Sequence, residues 1–473
     1  MNDIGIVRLE GLKIKNFKNI ENGEIYFAER KKVQRGEVDE DEFKNIIGIY
    51  GQNGSGKTSC LNVLRLIQAM LSGNPLKPIY KDYIMIDKNE MGITTDFLIK
   101  INGKYYYVVY DIEIEKYNDR MRITNEKIAF REGNKTGKCD TFYKYNISSG
   151  VNKDFLDRIP EGSKDIYHYI SNYESNNIMN IFGLYSTIFN PKLYDLVVND
   201  KKNVFGIYTK IISSLRVFGV SRLSIFSINY FNENTDVGIR FRYKKEHFEE
   251  GKDKKQAKID CGDIFVPFTV FQLDEDKYSF FEKTINNINK VLPSIIPDFT
   301  VEIKISEENR LLNNYNRGII TFLLVGKRKG KVIPLQYESN GIKKIISILS
   351  GLIEAYSNEG CLMAIDEIDS GVFEYLLGEI VYAFDNFANG QLIFTSHNMR
   401  ILEKINYKNI FFATTDSKNV FVQFTNVKNH NNLRDLYYRY LANGDQNGNQ
   451  YYDFVKTEDL IANLRVPKED MYD

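Results

Sequence analysis

The sequence predicts an α/β fold: a mainly parallel sheet, an antiparallel β subdomain and a large compact α/β insertion. Three observations carry that expectation. Short, almost wholly apolar runs at 46–50, 361–365, 391–394 and 410–413 alternate with stretches of helical period, the pattern of buried parallel strands covered by helices on both faces. A glycine-rich turn follows the first of these runs and leads into a helix. Period-two alternation and an Asn-Gly turn mark hairpins in the N-terminal region.

In chain order, Leu12 to Phe17 alternates apolar and polar residues, and Glu24 to Phe27 follows a glycine-containing turn, which predicts strand, turn, strand. The charged run Glu29 to Lys44 predicts a solvated loop. Ile46 to Tyr50 predicts a buried strand, and Ser59 to Leu71 a helix with Leu61, Leu64, Ile67 and Leu71 on its apolar side. Asn102-Gly103, between Phe97–Ile101 and Tyr105–Ile114, predicts a two-residue hairpin turn. From Lys116 the pattern loosens, with short helical patches at Leu193–Val198 and Ile207–Leu215. The expected organisation is an N-terminal lobe over 1–115, an inserted domain over 116–300 and a C-terminal lobe over 301–473. Phe280–Leu292 predicts a helix stopped by Pro293, and Val301–Ile305 and Ile319–Val325 predict strands. Helices are expected at Gly341–Tyr356, Phe373–Phe387, Met399–Ile405 and Leu433–Leu441, and strands at Cys361–Ile365, Gln391–Phe394, Ile410–Ala413 and Val420–Phe424. The inserted region shows no sustained heptads, so a compact insert is expected rather than a coiled coil.

The chain has 473 residues, with 63 Lys+Arg against 63 Asp+Glu. That balance excludes a protein that coats nucleic acid by charge alone, so any such site is a local patch. Cys60, Cys139, Cys261 and Cys361 stand singly, which argues against a zinc ribbon or disulfide framework and fits a reducing cytosol. Met1 to Leu12 is charged throughout and nothing approaches the ~18 apolar residues of a membrane span, so a cytoplasmic protein without membrane contact is expected.

Gly51-Gln52-Asn53-Gly54-Ser55-Gly56-Lys57-Thr58 fits GxxxxGK[ST] between a strand and a helix. Gly51, Asn53, Gly54, Ser55, Gly56 and Ser59 belong to a loop and helix start whose N–H groups cradle phosphates. Lys57 neutralises the β/γ oxygens, and the Thr58 hydroxyl is suited to Mg²⁺. Cys361 to Ile365 is an apolar strand ending in Asp366-Glu367. Beside a P-loop, Asp366 is expected to organise Mg²⁺ and Glu367 to polarise the attacking water. His397, one of four histidines, ends the strand Gln391–Phe394 within Thr395-Ser396-His397-Asn398 and is suited to sensing a γ-phosphate. Ser339 and Gly341, in Glu338-Ser339-Asn340-Gly341-Ile342-Lys343-Lys344, open a helix whose N–H groups face an anion or serve an ordinary N-cap.

This order of motifs resembles the ATP-binding-cassette (ABC) ATPases, and so implies an ABC-type P-loop NTPase head that takes ATP and Mg²⁺. The segment Leu12 to Phe27, with Asn16-Phe17-Lys18-Asn19, resembles the soluble branch that includes SMC, RecF and OLD-type proteins. The strings GQNGSGKTS, ESNGIKK, AIDEIDSG and FTSHN, and the tail Asn432 to Gly444, resemble the ATP-binding subunits of bacterial anti-phage systems, the ATPase component of the PARIS type among them. The resemblance implies that Ser339 and Gly341 touch the γ-phosphate of ATP on a second subunit, that Asp369 lies in the loop crossing a dimer interface, and that Lys18 reaches phosphate. Asn340 stands where transporters have Gly, and Ile342 where they have a polar residue. The implied partners are a second copy of the chain, a separate effector protein of nuclease type and a phage-encoded trigger, with nucleic acid an option rather than a requirement. The alternative is a DNA repair or recombination ATPase of the RecF kind. Two basic stretches bear on it: Arg240 to Lys258, diluted by Glu246, Glu249, Glu250 and Asp253, and Lys327-Arg328-Lys329-Gly330-Lys331 at an expected hairpin tip, each either a nucleic-acid contact or a solvated face. No Toprim or HNH signature follows the ATPase motifs, so no intrinsic nuclease is expected.

Overall fold

The computed structural model describes residues 4–27, 43–133, 138–159, 184–198, 204–227, 237–250, 255–312, 318–423, 433–435 and 437. The N-terminal third runs β1 (Ile6–Phe17), β2 (Ile20–Tyr26), β3 (Ile46–Gly51), α1 (Lys57–Ser72), β4 (Glu90–Ile101), β5 (Lys104–Tyr117) and β6 (Arg120–Glu132). The middle adds β7 (Asp140–Asn146), β8 (Gly150–Val151), α2 (Lys153–Leu156), α3 (Pro191–Val198), α4 (Ile207–Val217), β9 (Leu223–Phe226), β10 (Gly238–Glu250), β11 (Lys255–Pro267), β12 (Phe271–Asp274) and α5 (Glu275–Ile295). The remainder is β13 (Phe299–Leu312), β14 (Gly318–Arg328), β15 (Lys331–Pro334), α6 (Asn340–Ser357), β16 (Leu362–Ile365), α7 (Glu374–Phe387), β17 (Gln391–Ser396), β18 (Ile410–Ala413) and β19 (Phe421–Val422).

Six strands form the sheet that carries the motifs, in the order β19-β18-β3-β17-β16-β9. All its pairs are parallel except β18–β19. Its strands are buried on both sides, which is why they read as unbroken apolar runs. Alternate side chains divide between two cores. Ile47, Ile49, Leu362, Ala364 and Ile393 pack with α1 and the antiparallel sheet. Ile46, Tyr50, Met363, Ile365 and Phe394 pack with α7 and the Ile348/Leu352 side of α6.

The antiparallel sheet has seven strands, β2-β1-β4-β5-β6-β7-β8. Asn102 and Gly103, with φ of 51° and 77°, turn β4 into β5 as the Asn-Gly signal predicts. This sheet crosses the expected boundary at 115/116, which falls inside β5. β9, from the middle of 116–300, is the edge strand of the parallel sheet. The rest of that region and the start of the C-terminal lobe form a third core, in which α5 packs on the β10–β11 hairpin and on β12-β14-β13. Ile346 and Leu349 of α6 belong to this core, so α6 is wedged between two cores.

Three local expectations change. Pro293 lies inside α5, in its last turn. Met399–Ile405 forms only a 3₁₀ turn at Ile401–Glu403, because Asn398 Oδ1 accepts from Arg400 N at 2.8 Å and draws the backbone into a side-chain-closed turn. The strand expected at Val420–Phe424 is the short β19. The charged run at 29–42, most of the Leu433–Leu441 helix and most of the Asn432–Gly444 string lie outside the described residues, as do the side chains from Lys244 to Lys258. No helix among the described residues is long and apolar enough to cross a membrane.

Candidate functional site

Parallel pairing brings the C-terminal ends of β3, β17 and β16 side by side, and each ends in one of the motifs. Beyond β3 the loop turns through Gly54 and Gly56, at φ 81° and 99°, a region glycine enters without the Cβ clash. A Cβ on Gly56 would also stand 3.3 Å from both Ile20 and Val420. Gly51 is as confined: a Cβ there would lie 2.4 Å from Ala413 O. Asn53 and Gly54 are exposed at the loop tip, while Ser55 and Ser59 are buried. Ser55 Oγ is buried without a hydrogen-bond partner among the described residues.

Lys57 opens α1, and its ammonium donates to the carbonyls of Gly51 (2.8 Å) and Gln52 (2.7 Å), across the concave side of the loop. Burial pulls its pKa down to about 8, against the pull of Asp366, Glu367 and Asp369. The neighbouring Thr58 hydroxyl is 3.3 Å from Asp366 Oδ1. That pair fits Mg²⁺: both donors are hard oxygens, and cis ligands at ~2.1 Å stand ~3 Å apart. Among the described residues no cluster of three or more His, Cys, Asp or Glu stands ready for a metal. The ion would therefore complete its shell with phosphate oxygens and water, as Mg²⁺ in phosphate sites does. When bound, it would neutralise phosphate charge.

Asp366 follows the last residue of β16, and its amide donates to Phe226 O of β9 at 2.8 Å. Thr395 on β17 joins the two carboxylate positions. Its hydroxyl donates to Asp366 Oδ1 at 2.6 Å and accepts from Glu367 N at 2.7 Å. Glu367 sits at φ 47°, in the left-handed region a non-glycine residue enters at a cost. Its half-buried side chain lies at the head of the turn Glu367–Gly371. Asp369, in that turn, accepts from His397 N at 3.0 Å, while its Oδ1 is buried without a hydrogen-bond partner. Partial desolvation, then Lys57, pushes the His397 imidazole below its ordinary value, toward the neutral form.

Ser339 is the N-cap of α6, with Oγ accepting from Ile342 N at 3.4 Å. Gly341 lies against the far side of the Glu367–Gly371 turn, where a Cβ would meet Gly371 O at 2.1 Å. Both residues thus touch the acidic turn or their own helix. No hydrogen bond among the described residues joins them to the P-loop of the same chain. Lys18, with φ 53°, donates its amide to Tyr83 O (2.6 Å) and lays its ammonium 3.9 Å over the Tyr83 ring.

Three residues join the site that the motifs alone did not single out. Asn19 Nδ2 donates to Gly54 O at 2.6 Å and its Oδ1 accepts from Ser59 Oγ at 3.1 Å, so the residue after Lys18, not Lys18, ties the β1–β2 turn to the P-loop. Thr395 is the second; its signal was a hydroxyl at the end of an apolar strand. Lys344 is the third; its signal was a charge on the apolar stripe 344, 348, 352 of a helix.

A glycine-rich loop between a parallel strand and a helix, facing an Asp-Glu strand end, defines an ABC-type P-loop NTPase head. The chain belongs to the AAA ATPase domain family, whose family model matches residues 8–402, and is an ATP-binding ATPase of that family. No curated protein matches it. Among solved structures it is similar to the Smc head domain with an extended coiled coil, bound to the C-terminal domain of ScpA, from Pyrococcus furiosus (13% identity, 89% of this chain and 96% of that one, TM-score 0.38). It is also similar to the SMC head domain from Thermotoga maritima (12% identity, 88% and 99%, TM-score 0.35). A third is the recombination mediator protein RecF with ATP, of the RecFOR pathway (13% identity, 89% and 100%, TM-score 0.37). Likenesses at this level carry no functional weight.

Proposed function

We propose that the protein binds and hydrolyses Mg²⁺-ATP, associates with itself through shared ATP sites, and gates a separate effector in anti-phage defence. The observation that carries the hydrolytic part is the convergence of Lys57, Thr58, Asp366 and Glu367 at adjacent strand ends, with Thr58 and Asp366 3.3 Å apart. In this reading Lys57 and the loop amides hold the phosphates, Thr58 and Asp366 hold the ion, Glu367 takes a proton from the attacking water and His397 senses the γ-phosphate. Sharing of the site is supported by the absence, among the described residues, of any hydrogen bond from Ser339 or Gly341 to the P-loop of the same chain, and by the exposed aromatics nearby, Tyr337 (74%), Phe373 (75%) and Tyr375 (58%). They leave the start of α6 and Asp369 to a second chain. The effector, of nuclease type, and its phage trigger rest on the resemblance of the motif strings to anti-phage ATPases.

The test is ATP turnover together with sedimentation. Lys57→Ala is expected to abolish turnover, and Glu367→Gln to retain ATP and shift the protein to a larger species. A Glu367→Gln protein that sediments with ATP as the wild type does without it refutes the shared site. A second reading, a RecF-type ATPase acting on DNA, is favoured by the exposed basic tip between β14 and β15, where Lys329 and Gly330 turn at φ 48° and 76°. DNA-stimulated turnover lost on neutralising Lys329 and Lys331 would select it. Co-purification of a nuclease from the native host selects the first.

A further inference from the structure

Lys344 is 1% exposed, yet no carboxylate among the described residues makes a direct ion pair with it. It projects from the second turn of α6, at a position in line with the buried Ile348 and Leu352. An apolar residue would pack there without losing the hydration of a charge. The ammonium instead donates to two carbonyls, those of Glu367 and of Ser370 (2.9 Å). Both belong to the turn that follows β16. That turn is conformationally demanding: Glu367 is at φ 47° and Gly371 at φ 72°. Its internal bonds are few, Ser370 N to Glu367 O at 2.9 Å and Val372 N to Asp369 O at 3.3 Å. A single side chain from another element therefore holds both ends of the turn that presents the Glu367 carboxylate, with Gly341 pressed against Gly371 beside it.

We propose that Lys344 is a positioning residue for ATP hydrolysis: by bonding the Glu367 and Ser370 carbonyls it fixes the acidic turn to the first turns of α6. The proposal rests on the hydrolytic reading given above. Both bonds of the ammonium go to backbone carbonyls of the acidic turn, so its removal is expected to act on turnover and to leave ATP affinity in place.

The experiment compares the wild type with Lys344→Met and Lys344→Gln by kcat, ATP affinity from a fluorescent-nucleotide titration, melting temperature and exchange of the Ser370 amide. Lys344→Met is expected to lower kcat tenfold or more, to keep the ATP Kd within twofold, and to speed exchange of the Ser370 amide tenfold or more. The Gln side chain is one bond shorter and reaches one carbonyl at most, so its kcat is expected to fall threefold or more, short of the Met variant, again at unchanged Kd. A Lys344→Met protein that keeps kcat within threefold overturns the proposal. So does one whose melting temperature and Kd change together while Ser370 exchange stays as in the wild type, the signature of a merely structural role. Should Lys344→Met not fold, Lys344→Gln decides on the same terms, and an unchanged kcat overturns the proposal. Absence of turnover in the wild type, or turnover that survives Lys57→Ala, would instead refute the hydrolytic reading.

Discussion

Thr395→Val is the most informative single substitution at the strand ends. The two side chains have nearly the same shape, so no cavity forms. What is lost is one hydroxyl, in a residue with 0% exposure. That hydroxyl donates to Asp366 Oδ1 at 2.6 Å and accepts from Glu367 N at 2.7 Å. Valine leaves the Glu367 amide without its acceptor and Asp366 Oδ1 with only the longer bond from Thr58 Oγ1, at 3.3 Å. At about 1–3 kcal/mol for the stranded amide and about 1 kcal/mol for the bond lost at the carboxylate, the cost is about 2–4 kcal/mol of folding stability. The same two bonds set the direction of Asp366 and the start of the Glu367 turn. If about 1.4–2.7 kcal/mol of the loss is felt in the transition state, turnover falls about 10- to 100-fold. The assay pairs urea denaturation with steady-state ATPase across a Mg²⁺ titration, with Thr395→Ser as the control. Serine keeps both bonds and loses only a methyl group, worth about 1 kcal/mol. A valine variant within 0.5 kcal/mol and twofold in kcat of the serine variant would refute the reasoning.

Asn19→Ala should raise the KM for ATP about three- to tenfold while costing no more than about 1 kcal/mol in stability, because it cuts an exposed tie to Gly54 and a partly buried one to Ser59 rather than core packing; steady-state kinetics and thermal melting check it. Glu126→Leu should cost about 3 kcal/mol or more in urea denaturation, since the buried carboxylate accepts from Tyr110 Oη (2.7 Å), Ser186 Oγ (2.6 Å), Thr187 N (2.6 Å) and Thr187 Oγ1. Glu126→Gln should be milder, because the Tyr110 and Ser186 hydroxyls can turn to accept from the new amide. Glu10→Gln should stabilise the protein at pH 8 and not at pH 5: burial raises the Glu10 pKa from 4.5 to about 7, so the folded state holds a proton that the unfolded state has lost. Stability therefore falls as pH rises from 4.5 to 7, by up to about 3 kcal/mol at 1.36 kcal/mol per pH unit, and denaturation at the two pH values measures the difference.

What the sequence made legible was local or strongly periodic. The P-loop is one unbroken string, Gly51 to Thr58, with a strand before it. The Asn102-Gly103 turn is a two-residue backbone requirement. The apolar runs of β3, β16, β17 and β18 are buried from both sides and leave no room for polar interruption. What stayed hidden depends on distant partners. β9 is four residues long, and nothing in Leu223-Ser224-Ile225-Phe226 names β16 as its neighbour. The continuation of the antiparallel sheet into β6, β7 and β8 was masked by polar strand residues such as Asn125 and Glu126, which are buried only because other elements satisfy them. Pro293 looked like a helix stop, but α5 runs through it and ends at Ile295. The site behaved the same way. Residues proposed to face the nucleotide announce themselves by motif, whereas Asn19, Thr395 and Lys344 bond to those residues or their turn across long sequence separations.

That distinction bears on how a shared ATP site would work. Glu367 occupies a backbone conformation that asparagine or glycine would enter more cheaply, but neither carries the carboxylate that the proposed water activation requires. The conformation must therefore be imposed from outside the turn. Thr395 holds its first amide from β17, Lys344 holds two of its carbonyls from α6, and His397 N holds Asp369 from beyond β17. Gly341 admits no side chain, because the helix start and the turn meet backbone to backbone. In the proposed dimer that helix start faces the partner's nucleotide, while Glu367 faces its own. A rigid contact between the two makes the geometry of one ATP site depend on occupancy of the other, without any further element to carry the signal.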